Sequence, residues 1–186
     1  MLQQALKLYS NLFNYPNESF VQDAYLLRQK VQKNDNNDPI SRKLDIFIKT
    51  IGQLNTTDLQ ELHTQTFDLR PVCSPHIGFH LFGESYKRGS LMAELKREYY
   101  TYGIEEGSEI PDHISLILQY LSVLSNLETE QKLYEDLLEL CFCPGLEKMI
   151  STFEETTNPY KYLLESLSIL LKEQNMPSKV EVNSNV

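Results

Sequence analysis

The chain has 186 residues, of which 41% are hydrophobic, which fits one domain. It contains only 7 glycines and 8 prolines, which favours a helical fold over an all-β fold built on tight turns. Three cysteines do not make a disulfide framework, and no apolar run approaches the roughly 18–20 residues that cross a bilayer. The net charge of −9 divides into +2 over residues 1–52, −4 over 53–110 and −7 over 111–186. This distribution argues against binding to nucleic acid and favours a basic binding partner.

The N-terminal part of the chain has apolar residues at helical spacing. A first stripe runs from Leu2 to Phe13 and ends at Pro16. Asn17 is a candidate cap for a second helix, whose inner face continues to Val31. The start of the chain lacks a basic segment followed by an apolar one and a cleavage site, so we expect a cytoplasmic protein.

The polar segment at residues 33–38 has no apolar residue and is predicted to be a loop between this first pair of helices and the next pair. The third helix is predicted to begin at Asp38-Pro39, since proline is favoured in the first helical turn. Thr57 is a candidate cap for the fourth helix, which ends near Phe67.

Two prolines interrupt the helical pattern at residues 69–75, so this segment is predicted to be irregular. A short turn of helix follows at His76–Phe82. A longer helix is predicted over Tyr86–Tyr102, with Gly103 ending it, because glycine readily adopts the left-handed conformation found after helices.

The helix after Pro111 is predicted to lie at the centre of the fold, because apolar residues cover most of its circumference. Asp112 is expected to be its N-cap or a first-turn acid, and His113 is expected to point inward. The remaining stripe is polar but uncharged, which indicates packed neighbours or a wet groove: Ser115, Gln119, Ser122 and Asn126.

Helices at residues 129–142 and 159–173, with a shorter one between them, complete the pattern. Periodicity is lost beyond that point, which predicts a disordered tail at residues 174–186. The sequence therefore predicts an all-α fold, with one domain at residues 1–173 built as a bundle of about seven to nine helices.

Three residues with metal-binding chemistry lie close together in the sequence. Cys73, His76 and His80 have the spacing C-x2-H-x3-H, and both residue types bind zinc. A closed structural zinc site takes four ligands, however, and this set supplies three. We interpret them as loop and helix-face residues, with a metal-handling protein as the alternative.

No pattern of catalytic residues is complete. The stretch HLFGESYKRGSLM has neither the Gly-x-Ser-x-Gly nor the phosphate-loop spacing. Glu84 or Ser85 is instead expected to cap the helix that follows. Asp112 and His113 are adjacent at a helix start, where neighbouring side chains do not face each other. The sequence therefore predicts a protein that is not an enzyme.

Two segments in this order resemble the NarJ type of nitrate reductase assembly chaperone, also called the delta subunit: HTQTFDLRP…HLFGESYKRGSLMAELKREYYTYG and EIPDHISLILQYLS. With NYPNE and NPYKYLLESL, the likeness covers most of residues 1–172. That type belongs with the TorD- and DmsD-like maturation chaperones of molybdoenzymes. The resemblance implies an all-helical, cytoplasmic, non-catalytic chaperone without a cofactor of its own.

The resemblance also implies a partner and a binding site. The partner is the N-terminal segment of an apo molybdoenzyme catalytic subunit, with nitrate reductase as the first candidate, held for insertion of the molybdenum cofactor and an iron–sulfur cluster before membrane assembly. The acidic loop 103–112 and the polar stripe would suit a basic or amphipathic leader. A generic helical adaptor is the alternative, and monomer and swapped dimer are both open. The predicted client-binding residues are Phe67, Asp68, His80, Glu84, Ser85, Arg88, Met92, Asp112, His113, Gln119 and Tyr120.

Overall fold

The structure, a computed structural model, describes residues 1–32, 38–68, 71–153 and 157–175. The helices are α1 Leu2–Leu12, α2 Phe20–Val31, α3 Pro39–Ile51, α4 Thr56–Phe67, α5 Ile77–Phe82, α6 Tyr86–Tyr102, α7 Ile114–Leu124, α8 Gln131–Leu137, α9 Cys143–Ser151 and α10 Tyr160–Asn175, with a 3-10 turn at Glu128–Glu130 and a π turn at Leu138–Phe142.

Since α8, the π turn and α9 follow one another without a break, the described residues contain nine helical segments and no named strand. The predicted all-α class and the predicted number of helices are confirmed. α10 ends at Asn175, two residues beyond the predicted domain boundary at 173. Residues 176–186 of the tail predicted at 174–186, and residues 33–37 of the loop predicted at 33–38, lie outside the described residues.

Several helix ends lie where the sequence placed them. α6 has its predicted bounds: Ser85 Oγ accepts a hydrogen bond from Arg88 N–H at 3.5 Å, and Gly103 follows the helix with a φ of 67°. α3 begins after Asp38, whose carboxylate accepts Ser41 N–H at 3.1 Å. Side-chain caps of this kind satisfy backbone donors that have no partner within the helix.

Two predicted caps were wrong. Asn17 does not cap α2; its side chain accepts Ser19 N–H at 2.9 Å and closes a turn before the helix, and Ser19 is the residue that precedes α2. α4 begins two residues earlier than predicted, because Asn55 rather than Thr57 caps it and accepts Asp58 N–H at 3.0 Å. Asparagine is at least as good a cap as threonine.

α7 lies at the centre of the fold, as predicted. Nine of its eleven residues are buried, and it packs against α1. Ser115 and Ser122 of the polar stripe are buried, and Ser10 Oγ of α1 donates to Ser115 O at 2.9 Å. Much of the stripe therefore packs against neighbouring helices, while Asn126 is exposed. No helix in the described part of the chain is both long and apolar enough to cross a membrane.

Candidate functional site

The two segments identified in the sequence meet through an antiparallel pair of backbone hydrogen bonds. We call residues 63–103 the first motif and residues 109–122 the second motif. Ile77 N–H donates to Asp112 O at 2.9 Å, and Ile114 N–H donates to Pro75 O at 2.9 Å. The chain segment before α5 is thus fixed against the segment before α7. Residues far apart in the sequence are thereby held at one place in the fold.

Beside this bridge lies a buried ion pair. Arg88 Nε donates to Asp112 Oδ2 at 2.7 Å and Nη2 donates to Oδ1 at 3.4 Å, while Asp112 is 0% and Arg88 7% exposed. Arg88 Nη1 also donates to the carboxylate of Glu84 at 2.5 Å. We call Glu84, Arg88 and Asp112 the clamp. The hydrogen bond to Asp112 raises the pKa of Arg88, so the guanidinium stays charged.

The clamp corrects the predicted role of Asp112, which is not the N-cap of α7. That position is His113, whose Nδ1 accepts Ser115 N–H at 3.2 Å. The Asp112 carboxylate instead neutralises a buried guanidinium, because a buried charge without a partner costs several kcal/mol. The prediction that His113 points inward is confirmed, since it is buried.

Helix α5 lies directly on the clamp. A Cβ added to Gly78 would meet Asp112 Oδ2 at 2.6 Å, with Leu91 and Arg88 side-chain carbons at 3.2 and 3.3 Å. The Arg88 guanidinium also lies 5.7 Å from the centre of the Phe79 ring. Only glycine leaves space for α5 to come this close to the ion pair.

A cavity of about 270 Å³ opens where the end of α1, the end of α4 and the two bridged segments converge. We call it the histidine cavity, and its lining residues are Phe13, Tyr15, His63, Thr64, Phe67, Asp68, Pro75, His76, Glu109 and His113. It brings together the Phe67-Asp68 pair of the first motif and His113 of the second. The acidic loop contributes Glu109.

Aromatic rings form one wall of the cavity. The His63 ring lies 5.6 Å from Tyr15 and 5.1 Å from Phe67, and Phe67 lies 6.3 Å from Phe13. Phe13 and Phe67 are buried, whereas Tyr15 is 58% exposed and stands at the rim. The wall therefore combines fixed inner rings with one ring that is accessible from outside.

The three histidines of the cavity are uncharged at neutral pH. A backbone N–H can only donate, so His113 Nδ1, which accepts from Ser115, is unprotonated and Nε2 carries the proton. Burial lowers the pKa of His113 to about 3, and burial also lowers the pKa of His63 and of His76. Among the described residues of the lining, the charged side chains are therefore those of Asp68 and Glu109.

The residues with metal-binding spacing do not converge. His80 Nε2 lies 2.8 Å from Ser74 O, to which it donates, and 3.8 Å from Cys73 Sγ. The His76 ring instead packs against His113, with centroids 5.7 Å apart. Burial raises the pKa of Cys73 to about 11, which keeps it a thiol. Within the described ranges no group of three His, Cys, Asp or Glu residues is placed to hold a metal ion.

The predicted client-binding residues fall into three sets. Phe67, Asp68 and His113 line the histidine cavity. Glu84, Arg88 and Asp112 form the clamp, with Ser85 capping α6 beside them. The remaining four are not part of the cavity lining: His80, Met92, Gln119 and Tyr120.

Within this last set, Tyr120 is buried, and its hydroxyl donates to the Glu98 carboxylate at 2.8 Å, so it contributes to the packing of α6 against α7.

Among the cavity residues that were not predicted from the sequence, His63 carried a usable signal. It lies one helical turn before Phe67 and therefore on the same face of α4. Pro75 carried none, because it lies in a connecting segment whose path is set by the fold. Tyr15 lies in the NYPNE segment of the family resemblance, which did not indicate its place beside His63.

Comparison with known proteins gives a consistent result. Residues 33–152 match the family model described as nitrate reductase delta subunit. The chain is 27% identical over 177 residues to the nitrate reductase molybdenum cofactor assembly chaperone NarJ of Escherichia coli (strain K12), with 91% of this chain and 69% of that protein covered. It is 29% identical over 134 residues to the probable chaperone NarW of the same organism, covering 70% of this chain and 54% of NarW.

A solved structure has a similar fold. The crystal structure of a putative redox enzyme maturation protein from Archaeoglobus fulgidus aligns with a TM-score of 0.64, covering 92% of this chain and 94% of that one. The two sequences are 23% identical, so this likeness is one of fold.

Proposed function

The chain belongs to the nitrate reductase delta subunit family, and we propose that it is a molybdenum cofactor assembly chaperone for a molybdoenzyme, with a nitrate reductase as the first candidate. In this role it binds the N-terminal segment of the apo catalytic subunit. It keeps that subunit competent for insertion of the molybdenum cofactor and an iron–sulfur cluster before membrane assembly. We place these steps in the cytoplasm, where the apo subunit is made.

The observation that carries this proposal is the histidine cavity and its position between the two motifs. Its inner wall is aromatic, its lining carries two carboxylates, and Tyr15 and Asp68 are exposed at its edge. Grooves that bind amphipathic segments use apolar anchors, with flanking charges that set the orientation of the segment. A leader containing apolar and basic residues has the complementary chemistry.

The same geometry favours binding over catalysis. His113 Nδ1 is occupied by the cap of α7, and its Nε2 carries a proton, so the imidazole cannot accept a proton from a substrate. The Asp112 carboxylate is neutralised by Arg88. The clamp residues of the predicted client-binding set therefore act as positioning residues, which hold α5 and α7 where they shape the cavity.

The test is calorimetric titration with a peptide of the first 30 or so residues of the molybdoenzyme catalytic subunit encoded beside this protein. We expect a Kd of about 1 μM or tighter, which corresponds to about −8 kcal/mol. A scrambled peptide of the same composition controls for nonspecific attraction by the acidic surface. No heat at high concentrations of the authentic peptide would contradict the proposal.

A pair of variants locates the site. Thr64 lines the cavity, so Thr64→Arg fills it with a long side chain and should weaken peptide binding by tenfold or more, about 1.4 kcal/mol. Thr57→Arg introduces the same charge at an exposed position of the same helix and should bind like the wild type. Equal affinities for both variants would place the peptide elsewhere on the surface.

A further inference from the structure

The histidine cavity combines aromatic faces with carboxylates, and this combination selects one kind of side chain. We propose that the cavity receives an arginine of the client segment, with its guanidinium against the aromatic wall at Tyr15 and His63 and paired with Asp68 and Glu109. This inference rests on the proposed function, because it names the residue by which the client is anchored.

The size of the cavity suits one long side chain. A dry cavity of about 150 Å³ is known to bind benzene. At about 270 Å³, the histidine cavity has room for a planar guanidinium and the methylene stem behind it. The proposal therefore assigns it one residue that projects from the bound segment.

The electrostatics of the cavity favour a cation. Its ten lining residues, all within the described ranges, include two carboxylates and neither lysine nor arginine. The three imidazoles do not offset these charges, because burial keeps them neutral. Arg88 does not offset them either, since its three nitrogens all donate to Asp112 and Glu84 of the clamp. Among the described lining residues, a positive side chain entering the cavity therefore meets the carboxylates of Asp68 and Glu109 and no opposing cation.

The aromatic wall distinguishes arginine from lysine and from an apolar side chain. A guanidinium is planar, is more weakly hydrated than an ammonium group, stacks on aromatic rings and pairs with a carboxylate through two N–H groups. An apolar side chain would instead cover Asp68 and Glu109 without providing a partner, and taking a carboxylate out of water without a partner is costly. Arginine is the one side chain that satisfies the wall and the charges together.

The peptide side of the test uses the N-terminal peptide of the catalytic subunit, titrated by calorimetry, with each arginine replaced in turn by citrulline or lysine. Citrulline has nearly the shape of arginine but no charge. We expect one position at which citrulline weakens binding by about tenfold or more, given the contributions of cation–π contacts and ion pairs. Lysine at that position should have a smaller effect, because it keeps the charge but loses the stacking.

The protein side uses the double variant Asp68→Asn/Glu109→Gln, in which the preference for the arginine peptide over the citrulline peptide should fall to the few-fold that the cation–π contact with the aromatic wall supplies. The double variant Asp136→Asn/Glu139→Gln changes the same charges at exposed positions outside the cavity and should retain the wild-type preference. If every citrulline peptide binds like the parent, or if the client segment contains no arginine, the arginine proposal is overturned while the chaperone proposal stands. If the parent peptide itself fails to bind, the chaperone proposal falls first.

Discussion

The clamp and the histidine cavity both contain residues of the same two motifs, yet they differ in how completely their polar groups are paired within the protein. In the clamp, every nitrogen of the Arg88 guanidinium has a carboxylate partner, and Asp112 is fully buried. In the cavity, His113 Nε2 lies 3.8 Å from a Glu109 carboxylate that is itself 45% exposed, a separation too long for a direct hydrogen bond.

This difference distinguishes a region that stabilises the fold from a region that can bind a partner. A fully paired buried network stabilises one arrangement of the chain and has nothing left to offer a partner. Groups whose hydrogen-bonding capacity is met by solvent can exchange that solvent for a ligand at little cost to the fold. Substitutions in the clamp should therefore change stability first, and substitutions at the cavity rim should change affinity first.

The largest expected effect on stability is that of Asp112→Ala. It leaves Arg88 buried with only the exposed Glu84 as partner, and breaking a buried pair in this way costs about 3–5 kcal/mol. For a chain of this size that lowers Tm by about 10 °C, measurable by thermal melting followed by circular dichroism. Glu84→Ala removes the arm of the clamp whose side chain is 78% exposed and should cost about 1 kcal/mol or less. Equal losses for the two variants would contradict this view of the clamp.

Gly78→Ala tests the close contact between α5 and the clamp. Its Cβ would lie 2.6 Å from Asp112 Oδ2, so either α5 or the ion pair must shift, at a cost of about 1–3 kcal/mol. Gly89→Ala is the matched control, because nothing lies within 4 Å of its added Cβ and alanine favours the interior of α6. That variant should be stabilised by about 0.5–1 kcal/mol. Urea unfolding would reveal the opposite signs.

A pH dependence follows from His113, which joins the cavity to the cap of α7. Its pKa is about 3 in the folded protein and near 6.5 in the unfolded chain, so below pH 6.5 the unfolded chain binds a proton that the folded protein does not. Stability therefore falls as the pH drops from 6.5 toward 3, by at most about 1.4 kcal/mol per pH unit for this residue.

The variant His113→Asn isolates the contribution of His113 to the pH dependence of stability, because asparagine caps helices well but does not titrate. At pH 7.5 we expect the variant to melt close to the wild type. Between pH 7 and pH 5 its Tm should fall less steeply, since one of several histidines with a lowered pKa has been removed. Parallel Tm profiles across this range would show that His113 is not the residue responsible.

The helices of this protein could be predicted from the sequence because their signals are local. α6 combines Ser85 before its first turn with Gly103 after its last, and both ends lie where the sequence placed them. The caps of α2 and α4 were misassigned because residues with capping side chains lie within two positions of each other. Before α2 the Asn17 side chain closes a turn instead of capping the helix, and at α4 the earlier residue, Asn55, is the one that accepts from Asp58.

The site was less predictable, because its contacts join distant parts of the chain. Arg88 and Asp112 are 24 residues apart, and no spacing rule indicates that they pair. The cavity depends on the path of the turn after α1, which brings Tyr15 to the end of α4. Family resemblance nominated Phe67, Asp68 and His113 without this geometry. Their contact with the client stays a prediction.

The smallest expected effect on stability, and the clearest separation of the two regions, is that of Tyr15→Leu. Tyr15 is 58% exposed at the rim and contacts His63 edge-on, so exchanging it for another apolar residue should change the free energy of unfolding by no more than about 0.5 kcal/mol. The substitution removes an accessible aromatic face of the cavity, and the client peptide should bind several-fold more weakly, since a cation–π contact contributes about 0.5–1 kcal/mol at an exposed site.

Tyr25→Leu is the control for Tyr15→Leu, because Tyr25 is also a half-exposed tyrosine but lies on α2 and does not line the cavity. A loss of stability in Tyr15→Leu as large as that in Asp112→Ala would mean that the rim supports the fold and is not reserved for the client.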